Sequence, residues 1–240
     1  MKFYTVNNTG LNKYDFIKTY GESYFLNTKR LVPRISQNSV FAENEIERLL
    51  KNGIRTNTDV MHVLSWKIGK INHRDTDAKQ KFEYHKDWQF AEQLNVKRYG
   101  KDFDVKGFIN YITSNINFLE KTAKTDPQEV LNLLNKNSPP GIGTVYLITL
   151  LYFISKGMYP IYDRFAMKAI DAVLNEATPG SPIQYKELPE KKSKQFGKIM
   201  CDNMSEYICK LEKIFGTEYQ SNRNIDRALW VYGHLFPDEK

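Results

Sequence analysis

Residues 138–170, SPPGIGTVYLITLLYFISKGMYPIYDRFAMKAI, join a glycine-rich turn to an aspartate placed at the head of a later helix. Before the turn, Val130, Leu131, Leu133 and Leu134 recur at helical spacing. After it Tyr146, Leu147, Ile148, Leu150, Leu151, Phe153 and Ile154 do so again. Two helices joined by Pro139-Pro140-Gly141-Ile142-Gly143 are therefore predicted. Gly141 and Gly143 reach backbone angles closed to other residues and let amides approach a ligand. Amides at the head of the second helix suit a phosphate. That helix should stop near Gly157, a natural left-handed cap, and Pro160 restricts the loop that follows. Asp163 then falls at the start of a third helix, predicted to run to Asn175. An aspartate there also has a purely structural explanation, because it caps a helix and complements its dipole.

The spacing of these parts resembles the helix-hairpin-helix DNA glycosylase superfamily, also called HhH-GPD. Its hallmark is a Pro-Gly-(Ile/Val)-Gly hairpin, a helix, a proline-containing loop and an essential aspartate. Pro140-Gly141-Ile142-Gly143 matches the hairpin and Tyr159-Pro160-Ile161-Tyr162-Asp163 matches the loop and acid, with 18 positions from Val145 to Asp163. The 8-oxoguanine-glycosylase-like branch is the nearest in architecture. The resemblance implies a mostly α, two-lobed fold, formed by residues 1–240 as one unit with the helix-hairpin-helix at residues 127–156. It also implies DNA-backbone contacts from Gly141, Gly143 and Thr144, and Asp163 as the catalytic residue. Bifunctional members carry a lysine at the second position after the last hairpin glycine, where this chain has Val145. Without that amine no Schiff base forms there, and hydrolysis without strand cleavage is expected.

The rest of the chain sets bounds on this expectation. With 240 residues, 41% hydrophobic and 26% charged, the composition is that of an ordinary soluble protein with a sizeable core. Lys and Arg number 35 against 28 Asp and Glu, a net charge of +7, which favours a polyanionic partner without specifying DNA. Only Cys201 and Cys209 are present. On one helix they lie roughly 12 Å apart, too far for a disulfide. Two thiolates cannot hold an iron-sulfur cluster, so a cluster-free protein is expected. His62, His73, His85 and His234 show no zinc-binding spacing. No metal and no cofactor are expected. A monovalent cation held by hairpin carbonyls stays open, because carbonyls leave no trace in a sequence. No Walker lysine follows the glycines, which excludes that kind of nucleotide triphosphatase. Neither a signal peptide nor a membrane-spanning run is present, and a cytoplasmic protein without membrane partners is expected.

Helices are predicted at 42–50, 58–68, 88–99, 105–121, 127–136, 190–215 and 224–235, with residues 1–40 left unassigned and the stretch 67–86 locally basic. Asp126-Pro127-Gln128-Glu129 is a start signal, combining a cap, a first-turn proline and a glutamate three positions on. Trp66 and Trp88 have nucleic-acid contact and burial as competing roles, and burial is the commoner. Arg164 and Lys168 have phosphate contact and helix solvation. In the 8-oxoguanine branch a late helix offers the flipped base a polar residue and, four positions on, an aromatic one. Asp226 and Trp230 have that spacing, and Tyr162 beside the acid is a further base-pocket candidate. The functional expectation is a monofunctional DNA N-glycosylase acting in base excision, with RNA or a modified nucleobase as other substrates. The alternative is a non-catalytic nucleic-acid-binding or regulatory protein of the same fold, including a role in antiphage defence.

Overall fold

The computed structural model describes residues 1–24, 40–67, 71–74, 81–84, 105–139, 141–220 and 222–238. The helix expected at 88–99, with Trp88, lies outside them, as do Pro140 of the hairpin and much of the basic stretch. The chain opens with β1 (Phe3–Tyr4), β2 (Gly10–Leu11) and α1 (Lys13–Ser23). There follow α2 (Val40–Asn52), α3 (Asn57–Lys67), β3 (Ile71–Arg74), β4 (Lys81–Tyr84), α4 (Val105–Ser114), α5 (Ile116–Ala123), α6 (Pro127–Asn137) and α7 (Thr144–Ile154). It continues through α8 (Arg164–Leu174), α9 (Phe196–Phe215), a 3-10 turn (Gly216–Gln220) and α10 (Arg223–Gly233). Ten α-helices and two short antiparallel strand pairs thus make the described residues mostly helical. None of these helices is long and apolar enough to cross a membrane.

The chain divides into two compact units: unit 1 comprises residues 1–37, 160–188 and 202–240, and unit 2 comprises 38–159 and 189–201. In unit 2 the central element is α7. Every residue from Leu147 to Ile154 is buried, so this helix has no solvent face over two turns. It touches α3, α5 and α6, with the Trp66 and Phe153 rings edge-on at 5.9 Å. Trp66 is buried, and its indole N–H donates to Glu43 at 2.6 Å. In unit 1, α10 packs against α1 on one side and α8 on another. Phe3, Phe16, Tyr20 and Tyr232 form the aromatic core there; Phe16 stacks on Phe3 at 4.3 Å and meets the Tyr232 edge at 5.2 Å.

Local chemistry explains the boundaries. Asp126 caps α6 by accepting from the Glu129 amide at 2.9 Å, with Pro127 in the first turn. Asp126→Ala should therefore lower the unfolding free energy by about 1 kcal/mol, seen as a lower urea midpoint at unchanged slope. The single helix expected over 105–121 is broken at Asn115. Its side-chain amide donates to the Tyr111 carbonyl at 2.8 Å, competing with the helical ladder at that turn. The helix expected from 190 begins at Phe196 instead, because residues 190–195 are polar and spend their hydrogen bonds on α6 and the hairpin. Strands β3 and β4, pairing Ile71 with Tyr84 and Arg74 with Lys81, lie in a segment read only as basic. Their alternation is only four residues long on each side. The unassigned N-terminus forms the β1–β2 pair and α1, capped by Asn12.

Candidate functional site

The hairpin belongs to unit 2. Gly141 has φ +96°, a left-handed angle that a side chain resists, so the turn depends on this glycine. Gly143 differs from expectation: its φ of −79° is open to any residue. Among the described residues beyond its chain neighbours, a Cβ at that position would meet no atom within 4 Å, so the backbone there is open to an approaching group. Gly143 is the N-cap of α7 and provides no side-chain cap, and among the described residues no side chain accepts from the first-turn amides. Ile142 is buried and anchors the tip of the turn. The Thr144 hydroxyl donates to the Pro189 carbonyl at 2.9 Å, so its amide rather than its hydroxyl is oriented for a ligand. Val145 is half-buried in the first turn of α7. The Gly157 amide donates to the Tyr152 carbonyl at 2.8 Å and closes the other end of the helix.

Asp163 belongs to unit 1, where it is buried as the N-cap of α8. One carboxylate oxygen accepts from the Phe165 amide at 3.0 Å and the Ala166 amide at 3.1 Å. The capping role considered from the sequence is therefore real. Behind the acid, Tyr162 is fully buried, its ring 5.8 Å from that of Tyr207. With its side chain fully buried, Tyr162 offers no exposed face to a base, which is at odds with its expected place in a base pocket. Burial pushes the Tyr207 phenol up, and the negative charges of Asp163 and Asp171 add to this, so it stays a neutral hydroxyl.

On the outer side of the acid lies an aromatic group. His234 stacks on Phe165 with ring centres 3.4 Å apart, and Trp230 meets His234 at 4.4 Å, Tyr24 at 5.6 Å and Phe165 at 6.2 Å. The Arg164 guanidinium sits 4.6 Å from the Phe165 ring centre. Trp230, Phe165 and His234 are half-buried, so the cluster keeps some accessible face. Asp226, one turn before Trp230 on α10, is ion-paired with Arg223. His234 Nδ1 lies 2.7 Å from the Trp230 carbonyl. A carbonyl can only accept, so Nδ1 carries the proton and the neutral ring keeps its lone pair on Nε2. Phe165 and His234 were missed from the sequence. The available signal for His234 was its position four residues after Trp230, on the same helical face.

Lys168, read from the sequence as a phosphate or solvating group, is buried. It pairs with Asp238 and donates to the Phe236 carbonyl at 3.0 Å, tying residues 236–238 to α8. Arg164 remains exposed. Asp171 of α8 and Asn203, Glu206, Tyr207 and Lys210 of α9 line a cavity of about 10 Å³, the room of one water and too small for a base. Cys201 and Cys209, both on α9, are free thiols. Among the described residues no three His, Cys, Asp or Glu side chains form a metal-binding group.

Burial, the largest cause in each case, holds His234 and His62 below the ordinary histidine value of 6.5. The unfolded chain then takes up protons as pH falls through 6.5, whereas the native protein does not until lower pH. Stability therefore rises with pH across the window on the acid side of 6.5. The urea midpoint should be higher at the upper end of that window, and His234→Gln should reduce the difference. An unchanged pH dependence in the variant would remove His234 as a contributor.

Compared with protein-family models, with curated proteins and with solved structures, the chain has no significant match.

Proposed function

We propose that this chain is a monofunctional DNA N-glycosylase of the helix-hairpin-helix kind, releasing a damaged or modified base by hydrolysis. The observation that carries this reading is the buried Asp163 carboxylate beside the half-buried Phe165, His234 and Trp230. A base taken out of a duplex needs a stacking face and hydrogen-bond partners for its edge. Trp230 supplies the first, with Asp226 and His234 Nε2 as acceptors. As the glycosidic bond breaks, the sugar gains oxocarbenium character, which a carboxylate in a dry site stabilises. The same carboxylate orients the attacking water and takes its proton. The open backbone at Gly143 and the uncapped amides of Thr144 and Val145 support contact with the nucleic-acid backbone. Val145 leaves the family's usual lysine position without an amine.

One observation favours a second reading. An oxygen of Asp163 is already engaged by two backbone amides, which a purely structural residue would also show. In that reading the protein binds nucleic acid without turnover. Incubation with a panel of damaged and modified duplexes, followed by alkali to cleave abasic sites, separates the two. Strand breaks after alkali are expected for at least one lesion, with no adduct trapped by borohydride. Binding without base release across the panel would establish the non-catalytic reading instead.

A further inference from the structure

Residues 189–195 form a lysine-bearing strap folded on the hairpin of unit 2. The strap is tied down at several points. The Pro189 carbonyl accepts from Thr144 Oγ1 at 2.9 Å, and the Lys191 carbonyl accepts from Asn135 Nδ2 at 2.9 Å. Just beyond it, the Gly197 amide donates to Asn132 Oδ1 at 3.1 Å. The strap therefore contacts the end of α6 and the beginning of α7, the two elements that the hairpin joins. It carries Lys191, Lys192 and Lys194 against a single acid, Glu190. Lys192 and Lys194 are exposed.

Lys191 is the informative residue. Its ammonium is half-buried and donates to Ser138 Oγ at 2.5 Å and toward the Pro139 carbonyl at 3.4 Å. Both partners are neutral, and no carboxylate lies within ion-pair distance among the described residues. Burial alone holds its amine below the ordinary lysine value. A cation that has lost hydration and gained no counter-charge is destabilised, and an arriving anion relieves that cost. An ammonium has three donors, and the two protein contacts leave one for a ligand.

We propose that the strap is a phosphodiester-binding surface, with Lys191 contacting a backbone phosphate beside the hairpin and Lys192 and Lys194 extending the footprint along the strand. This rests on the nucleic-acid reading of the hairpin but not on base release. The chemistry favours a nucleic acid over a lipid surface. Among the described residues the exposed large apolar side chains are Met1, Val6, Tyr14, Phe118 and Met158, none of them on the strap, and insertion at a membrane interface needs such groups. Discrete lysines at fixed positions suit the repeating phosphates of a duplex.

The test uses the full chain and a fluorescently labelled, undamaged DNA duplex, with anisotropy titrations at salt concentrations from about 50 to 200 mM. Lys191→Gln is expected to weaken binding about threefold to tenfold at low salt and to reduce the slope of log K against log salt by about one. The double variant Lys192→Gln/Lys194→Gln should reduce it by about two. Lys191→Arg should restore the wild-type slope, and Ser138→Ala should keep it, because both retain the charge. An unchanged slope in Lys191→Gln overturns the proposal, as does an equal loss in Lys191→Arg, which would mean a structural role. Binding of the wild-type chain to anionic phosphatidylserine vesicles but not to the duplex would overturn it too. Base release with an unchanged Lys191→Gln slope would sink the strap alone. The slope change without base release would sink only the glycosylase activity.

Discussion

Asp163→Asn is expected to lower base release about a thousandfold, or roughly 4 kcal/mol of barrier, with little change in the unfolding midpoint. The two effects separate because, under the proposed function, the residue has a charge role beside the cap. Asparagine keeps a side-chain oxygen able to accept from the Phe165 and Ala166 amides, so the cap on α8 survives. What it removes is the negative charge that the proposed mechanism assigns to stabilising the developing sugar cation. Asp163→Ala should lose the same activity and also about 1 kcal/mol of stability, because the cap goes with the charge. Single-turnover base release and urea unfolding on the same preparations measure both quantities. Equal release by wild type and Asp163→Asn would eliminate the carboxylate as a catalytic group and leave it as a cap.

Gly233→Ala should produce the largest loss of stability of any change considered, about 3 kcal/mol or more. A Cβ at Gly233 would fall 1.9 Å from the Phe165 carbonyl oxygen and 2.5 Å from its carbon. These are backbone atoms, so no rotamer change relieves the overlap and α8 and α10 must separate. The same movement would disturb the His234–Phe165 stack next to Asp163. A fall in the urea midpoint accompanied by weakened nucleobase recognition is therefore expected. A midpoint equal to that of the wild type would mean that the helices are not held at this distance. Gly10→Ala is a useful control, because a Cβ there meets nothing within 4 Å.

What could be read from the sequence divides along a physical line. The starts of α6 and α8 were legible because Asp126 and Asp163 are capping residues whose partners lie three residues away or fewer. The apolar run of α7 marked a helix, though not its burial on every side, and Gly141 marked a turn needing a left-handed angle. Features decided by distant parts of the chain were not legible. Lys168 has the sequence position of a solvent-facing cation, yet it is buried against residues 236–238. The polar start of the expected 190–215 helix gives no sign that its lysine will bond to Ser138, 53 positions away. Asn115 interrupts a well-formed apolar period with one side-chain bond. For the site, Asp163 and Trp230 stood out by spacing, but Phe165 and His234 gained their place only through the approach of α8 to α10.

Unit 1 is assembled from three separate stretches of chain, and its first and last helices are packing partners. The Tyr4 amide reaches the Tyr232 hydroxyl across 228 positions, at 3.4 Å. Ribosomal synthesis releases α1 early and α10 late, whereas most of unit 2 comes from the intervening residues 38–159. Unit 2 can close while the chain is still growing, but α1 must wait with Phe16 and Tyr20 lacking the Tyr232 face that covers them in the native protein. A nascent chain halted before α10 would present that aromatic stripe to solvent, a surface suited to holdase chaperones and to self-association.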